Sequence, residues 1–262
     1  MPKLILHLVP LATWSTQPPG AAYAPASLAA EGFVHCSPDV PTALAVANTL
    51  YAGAEEPMVA LVIDADRTGH PVKWEQAEPA PPPGVDPATS FPHLYGPIER
   101  SAVTGVLHAR RDLAGRFTAL VARPELAGTL DLLPHPEGGW FRRTWTAPAR
   151  LTPRGYGGKR ASASSVLYLL APGEVSAWHK VRSDELWLWH RGGPLGLRLG
   201  GRGERPASEG AVVLGPGVEL GQAVQALVPG GTWQTATPTG NREVLVSCVV
   251  SPGFDFADFE GL

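Results

Sequence analysis

Between Gly173 and Gly192 the run GEVSAWHKVRSDELWLWHRG sets an imidazole, His179, six residues before a carboxylate, Glu185, among three tryptophans. A histidine beside a carboxylate can act as a general acid/base pair, the carboxylate orienting the ring and raising its basicity. Such a pair moves a proton next to a carbonyl, the step shared by isomerases, epimerases and many lyases. Period two puts His179 and Val181 on one face of a strand, and Glu185, Trp187 and Trp189 on one face of the next. A hairpin with a short polar turn is expected to bring His179 and Glu185 onto one ligand. Trp178, Trp187, Trp189 and His190 then offer flat surfaces suited to a ring or a sugar. The same pair also reads as a binding pocket without catalysis, in which both residues hydrogen-bond a ligand or each other.

The spacing resembles the first cupin motif: a glycine, five residues, His-x-His, three or four residues, Glu, six residues and a glycine. Gly173, His179, Glu185 and Gly192 fall on it, with Val181 at the second histidine. Pro229-Gly230-Gly231-Thr232-Trp233-Gln234 resembles the second motif, Pro-x-Gly-x-x-His, with Gln234 in place of its histidine. Metal-dependent cupins take ligands from those four positions. A divalent metal on His179, Glu185 and Gln234 is therefore the alternative here, and oxygenase chemistry with it. One strong imidazole is missing and glutamine is a poor ligand, so no metal or other cofactor is the expectation.

The second half carries further runs: Leu132 to Thr144 (LLPHPEGGWFRRT), Trp178-His179, Asp184 to Trp187, Val228 to Gln234 and Pro252-Gly253-Phe254-Asp255. Together they resemble an uncharacterised cupin family similar in fold to the deoxythymidine-diphospho-sugar epimerases. The resemblance implies a jelly-roll barrel, homodimeric, with a ligand pocket in its mouth. Trp178, Trp187, Trp189, Gln234, Arg142 and Tyr168 are then expected as substrate-binding walls. Arg142 and Arg143 are adjacent on one strand, so at most one should enter the barrel. An inward arginine would pair with a carboxylate or phosphate.

A chain of 262 residues holds one large domain or two ordinary ones. At 44% hydrophobic residues it can build real cores, and a net charge of −3 argues against nucleic acid as a partner. No run reaches the roughly 18 apolar residues of a membrane helix. The start, MPKLILHLVPLATW, reads as a buried strand and not as a signal peptide. Two distant cysteines, Cys36 and Cys248, argue against a disulfide scaffold and make a reducing cytoplasm the expected location. Cys36, between His35 and Ser37, is either a nucleophile or a buried structural thiol.

An α+β domain over 1–113, a linker over 114–128 and an all-β domain over 129–262 are expected. In the first, strands are predicted over Lys3–Val9, Met58–Asp64 and Ala102–Ala109, and helices over Ala24–Ala30 and Pro41–Tyr51. Gly32–Ser37 reads as strand or loop. Pro79 to Pro87 reads as a proline-rich exposed loop, Phe91 to Pro97 as a polar-aromatic turn and Phe117–Ala127 as a short helix. From Thr129 the texture turns to short strands with a turn about every ten residues. They are predicted over Trp140–Thr146, Ser164–Leu170, Val175–Lys180, Glu185–His190, Leu195–Leu199, Ala211–Leu214, Ala223–Val228 and Glu243–Val250.

The first half also has a distinctive set: His7, Gly32-Phe33-Val34-His35-Cys36-Ser37, Trp74-Glu75 and Phe91-Pro92-His93-Leu94-Tyr95-Gly96-Pro97. It resembles a small bacterial domain of unassigned function, related in fold to ADP-ribosyltransferases. The resemblance implies a second cleft lined by His7, His35, Ser37, Glu75, His93 and Tyr95, with NAD or an ADP-ribose group as its ligand. The reading that results is a two-domain enzyme doing acid/base chemistry on a sugar- or nucleotide-derived metabolite. A ligand-sensing protein without catalysis is its alternative.

Overall fold

The computed structural model describes residues 3–262. The chain divides into two compact units, Met1–Arg123 and Pro124–Leu262.

In the first unit β1 (Leu4–Pro10), α1 (Leu11–Ser15), α2 (Ala26–Glu31) and β2 (Val34–His35) precede the long helix α3 (Val40–Leu50). Then come β3 (Met58–Asp64), β4 (Val72–Gln76), β5 (Ser90–Leu94), β6 (Val103–Arg111) and β7 (Phe117–Ala122). They form an antiparallel sheet β1-β3-β6-β7 and a small sheet β2-β5-β4. The central strand β3, MVALVID, is buried on both faces. Val59, Leu61 and Ile63 enter the larger core with Ile5, Val34 and Leu94, and Met58 and Ala60 enter a smaller one with Ala47 and Phe117. This is the period-two rule with a core on each side. Helix α3 starts where expected: Asp39 caps it by accepting the Thr42 amide at 2.8 Å, and Pro41 sits in its first turn.

Two segments depart from the sequence reading. Phe117 to Ala122 is the edge strand β7, and the helix over this region, α4, covers only Glu125–Thr129. The strand wins because Asn48 of α3 clamps the Phe117 backbone, accepting its N–H at 2.8 Å and donating to its carbonyl at 2.9 Å. Phe91 to Leu94 lies in β5 and not in a turn. Pro92 is tolerated there because only its carbonyl is used, by the Cys36 amide at 3.0 Å.

The second unit is strand-rich. After α4 come β8 (Leu133–Pro134), β9 (Trp140–Thr146), β10 (Arg150–Leu151), β11 (Arg160–Ala161), β12 (Ser164–Leu170), β13 (Ser176–Val181) and β14 (Asp184–Gly192). They continue through β15 (Leu195–Leu199), β16 (Gly210–Leu214), β17 (Gln225–Val228), β18 (Gln234–Pro238), β19 (Val244–Ser251) and β20 (Phe259–Gly261). A six-stranded sheet, β17-β14-β19-β12-β9-β8, and a five-stranded sheet, β16-β15-β18-β13-β20, share one core. Tyr168, Trp187, Val246 and Cys248 enter it from the first sheet, and Leu195, Leu197 and Ala236 from the second. No strand belongs to both sheets, so the closed barrel expected from the sequence is here two sheets across a core.

The β13–β14 connection differs from expectation in the same way. It is not a hairpin: β13 pairs with β18 and β20, while β14 pairs with β17 and β19. The chain crosses between sheets at Arg182 and Ser183. The Pro229-Gly230-Gly231 loop seats on this corner, with the Gly230 amide donating to Asp184 at 2.8 Å and that of Gly231 to the Val181 carbonyl at 2.7 Å. A Cβ at Gly230 would collide with the Arg182 carbonyl, so the corner needs glycine for close approach.

Candidate functional site

Because β13 and β14 lie in different sheets, His179 and Glu185 belong to opposite walls of one cavity, of about 460 Å³. Strands β9, β12 and β19 and the loop before β9 complete its lining, and Phe254 and Phe256 belong to it as well.

His179 is fully enclosed. Its Nδ1 lies 2.8 Å from the Ala177 carbonyl and 3.0 Å from Glu137 Oε2, so this nitrogen carries a proton shared between two acceptors. Burial by itself would lower the imidazole pKa. The Glu137 carboxylate outweighs it, through its charge and its hydrogen bond, and holds the ring up at about 9. His179 is therefore an imidazolium at neutral pH. Its plane stacks on Phe259, 5.7 Å between centroids and 19° between planes. Nε2 has no hydrogen-bond partner among the described residues, and the residue lines the cavity. Glu137 is matched to it: burial raises its carboxyl, but His179, with His135 and Ser176 behind it, brings the balance below the usual range.

The partner of His179 is thus Glu137 and not Glu185. Glu185 is buried, and burial raises its pKa. It is held instead by Gln234, whose Nε2 donates to Oε2 at 2.5 Å, and by the Cys248 thiol. Gln234 is fully used, because its Oε1 accepts the Trp187 indole N–H at 2.9 Å. A metal on His179, Glu185 and Gln234 does not fit this arrangement: the one oxygen that glutamine could give a cation is already bonded to an N–H. Among the described residues no three His, Cys, Asp or Glu side chains are grouped as a metal needs.

The remaining expected wall residues separate. Tyr168 lines the cavity and donates to the Gly138 carbonyl at 2.7 Å, its hydroxyl pushed well above its usual pKa by burial. Trp187 lines it too. Trp178 does not: as the strand neighbour of His179 it packs on the other face, against Arg198 and beside Gly200. Trp189 is likewise outside, packed on the core with its N–H on the Gly193 carbonyl. Arg142 and Arg143 are exposed, and both border the cavity, although one at most was expected to. Long side chains at an opening reach it from either strand face. Glu137 and Phe254 were legible only as parts of family motifs, without a role. The signal available for Glu137 was a lone carboxylate in the His135-Pro136-Glu137-Gly138-Gly139 turn, whose glycines both have positive φ.

In the first unit, His7, His35, Ser37, Glu75, His93 and Tyr95 border one cavity of about 950 Å³. His7, on β1, donates from Nδ1 to the His35 carbonyl at 2.8 Å, and burial lowers its pKa to about 4, so it is neutral. Glu75 on β4 faces β5: it receives His93 Nδ1 at 2.8 Å and the Tyr95 hydroxyl at 3.0 Å. Phe33 stacks on His93, 4.1 Å between centroids. Cys36 is a buried thiol, its pKa pushed up to about 12 by burial, and not a nucleophile.

Comparison with known proteins agrees with the division into two units. Residues 8–106 match the family described as "Protein of unknown function (DUF952)". A solved structure of a Caulobacter crescentus protein, 28% identical, covers 44% of this chain and 93% of its own, with a TM-score of 0.36. For the second half, a hypothetical protein from Leishmania major is 33% identical over 51% of this chain and 83% of its own, with a TM-score of 0.47. A Shewanella oneidensis protein is 32% identical over 53% of this chain and 82% of its own, also with a TM-score of 0.47. No curated protein matches the chain. The family model described as "Cupin superfamily (DUF985)" covers residues 124–262, just over half of the sequence, and the chain belongs to that family.

Proposed function

We propose that the cavity between the two sheets is an active site for enolisation of a small carbonyl metabolite, the acid/base step of isomerases, epimerases and lyases. The observation that carries this reading is the buried His179–Glu137 pair with an unpartnered Nε2 on the cavity. An imidazolium held near pKa 9 is a poor base at neutral pH but a good donor to an oxygen that gains negative charge. Glu185, on the opposite wall with its proton affinity raised by burial, is the base. Glu185 takes the proton from the carbon next to the carbonyl as His179 Nε2 gives one to the oxygen. The C–H electron pair becomes the C=C bond of the enol, and reversal on either carbon or face gives the isomer or epimer. Glu137 keeps the imidazole charged and oriented and does not touch the substrate.

Phe141, Phe254 and Phe256 supply apolar walls for a ring, and Arg142 and Arg143 at the opening suit a phosphate or carboxylate. These features support a sugar- or nucleotide-derived substrate. The test is native mass spectrometry of the purified protein to name a co-purified ligand. Proton exchange into that ligand, or into a panel of nucleotide sugars and sugar phosphates, is then followed by NMR in deuterium oxide. Exchange that drops at least about a hundredfold in both His179→Gln and Glu185→Gln supports the reading. A ligand that binds with no exchange in the native protein overturns it in favour of a sensor.

A further inference from the structure

The N-terminal cavity has about twice the volume of the one His179 serves, and nothing proposed above uses it. Two of its polar side chains are more than nine-tenths buried and keep a polar atom without a hydrogen bond among the described residues. His7 is 7% exposed; since Nδ1 holds the proton given to the His35 carbonyl, the lone pair is on Nε2, and no described residue donates to it. Ser37 is 4% exposed, and its hydroxyl makes no hydrogen bond among the described residues. Both residues line the cavity, so a ligand N–H or O–H entering it can be received by these acceptors.

The charged side chains that line the cavity are acidic. Glu31, Glu75 and Glu78 line the cavity, and no described lysine or arginine does. Hydrogen bonds from His93 and Tyr95 keep the Glu75 carboxyl below its usual range, so it is ionised. A phosphate entering here would meet three carboxylates against one nearby cation, Lys73, whose Nζ lies 4.0 Å from the centre of the Tyr95 ring. The lining also contains a ring platform: Phe33 stacked on His93, with Tyr95 5.6 Å from Phe33 between centroids. Such faces attract flat ligands, and cationic ones most.

We propose that this cavity is a second binding site, for a flat ring bearing N–H donors, neutral or cationic, of the amidine or amino-heterocycle class. The ring lies against the Phe33 platform, and its donors go to Glu75, His7 and Ser37. The site excludes phosphorylated forms of the same ring. The NAD or ADP-ribose expected from the family resemblance is thereby narrowed to an unphosphorylated base or nucleoside.

Matched probes separate ring from charge. Benzamidine and benzoate share a ring with opposite charge and donor pattern, and adenosine and AMP differ by the phosphate. Each is titrated into the full chain to roughly 10 mM, with the ring signals of His7 and His93 followed by NMR. Benzamidine and adenosine are expected to shift both histidines, and benzoate and AMP to bind at least about tenfold more weakly. Glu75→Gln, at a partly exposed position and with an unchanged denaturant transition as its control, should weaken benzamidine about tenfold, and Ser37→Ala should weaken adenosine by a smaller factor. The proposal fails if benzoate or AMP binds as tightly as its partner, or if no probe moves the two histidines. It also fails if Glu75→Gln leaves benzamidine binding unchanged.

Discussion

His7 and His179 start from the same position and end in opposite states. Each lies on a strand, each is almost wholly buried, and each gives its Nδ1 proton to a backbone carbonyl at 2.8 Å. One has a pKa of about 4 and is neutral; the other has a pKa of about 9 and is charged. Burial pushes both down. What separates them is chiefly one carboxylate, Glu137, at 3.0 Å from His179, with Glu185 adding to it, and no carboxylate acts in this way on His7 among the described residues. A buried imidazole is an acceptor by default, and a single anion converts it into an acid. The two cavities inherit this difference, one asking its ligand for donors and the other offering a proton.

The comparison breaks most completely in Glu137→Gln. Without the anion His179 loses the strongest influence that raises it, and its pKa should fall well below about 9, measured by NMR titration of its ring protons. The second unit should lose on the order of 3 kcal/mol at pH 6, read from its denaturant transition. A His179 that still titrates near 9 in this variant would remove Glu137 as the cause.

Next in size is the pH dependence of the intact protein. His7 binds fewer protons folded than unfolded, so its contribution is complete above 6.5 and is lost as pH falls toward 4, up to about 3 kcal/mol. His108, also lowered to about 4 by burial, acts with the same sign. His179 binds more protons folded, so its contribution is complete below 6.5 and is lost as pH rises through 9, again by about 3 kcal/mol. Hydrogen exchange of β3 and β19 amides should thus show the first unit weakened at pH 5 and the second at pH 9. Equal weakening of both at either pH would contradict the assignment.

Two smaller substitutions sharpen it. Gln234→Leu removes the amide held by the Glu185 carboxylate, which keeps the Cys248 thiol, and the acceptor of the Trp187 indole, at a cost of about 2 kcal/mol, while His179 stays charged. Phe259→Leu removes only the ring stacked on the imidazolium and should lower the His179 pKa by about half a unit. The corresponding change beside His7, Tyr23→Leu, should leave that ring neutral.

The sequence was informative wherever a role depends on local spacing. The boundaries of β3 and α3 could be read from period and caps, and the spacing singled out His179 and Glu185 although not the partner each one has; the six residues of the N-terminal cleft came from the family resemblance alone. It was silent where partners come from far along the chain. Glu137 meets His179 from 42 positions earlier in the chain, and nothing in the strand pattern of β13 announces it. Asn48 turns Phe117 into a strand residue from 69 residues away. The short polar turn at Arg182 reads as a hairpin in the sequence, whereas the change of sheets is set by the Gly230 loop packing on that corner. Trp178 and Trp189 show a related limit: aromatic content near a site does not say which ring faces it.

The two cysteines fall one to each unit, and burial raises both thiols, Cys36 to about 12 and Cys248 well above its usual value. Alkylating reagents react with the thiolate, which neither unit supplies while closed. Each cysteine is therefore a built-in clock for the opening of its own half. The rate at which iodoacetamide modifies Cys36 or Cys248, resolved by peptide mapping, would report the two opening equilibria of the unmodified chain side by side.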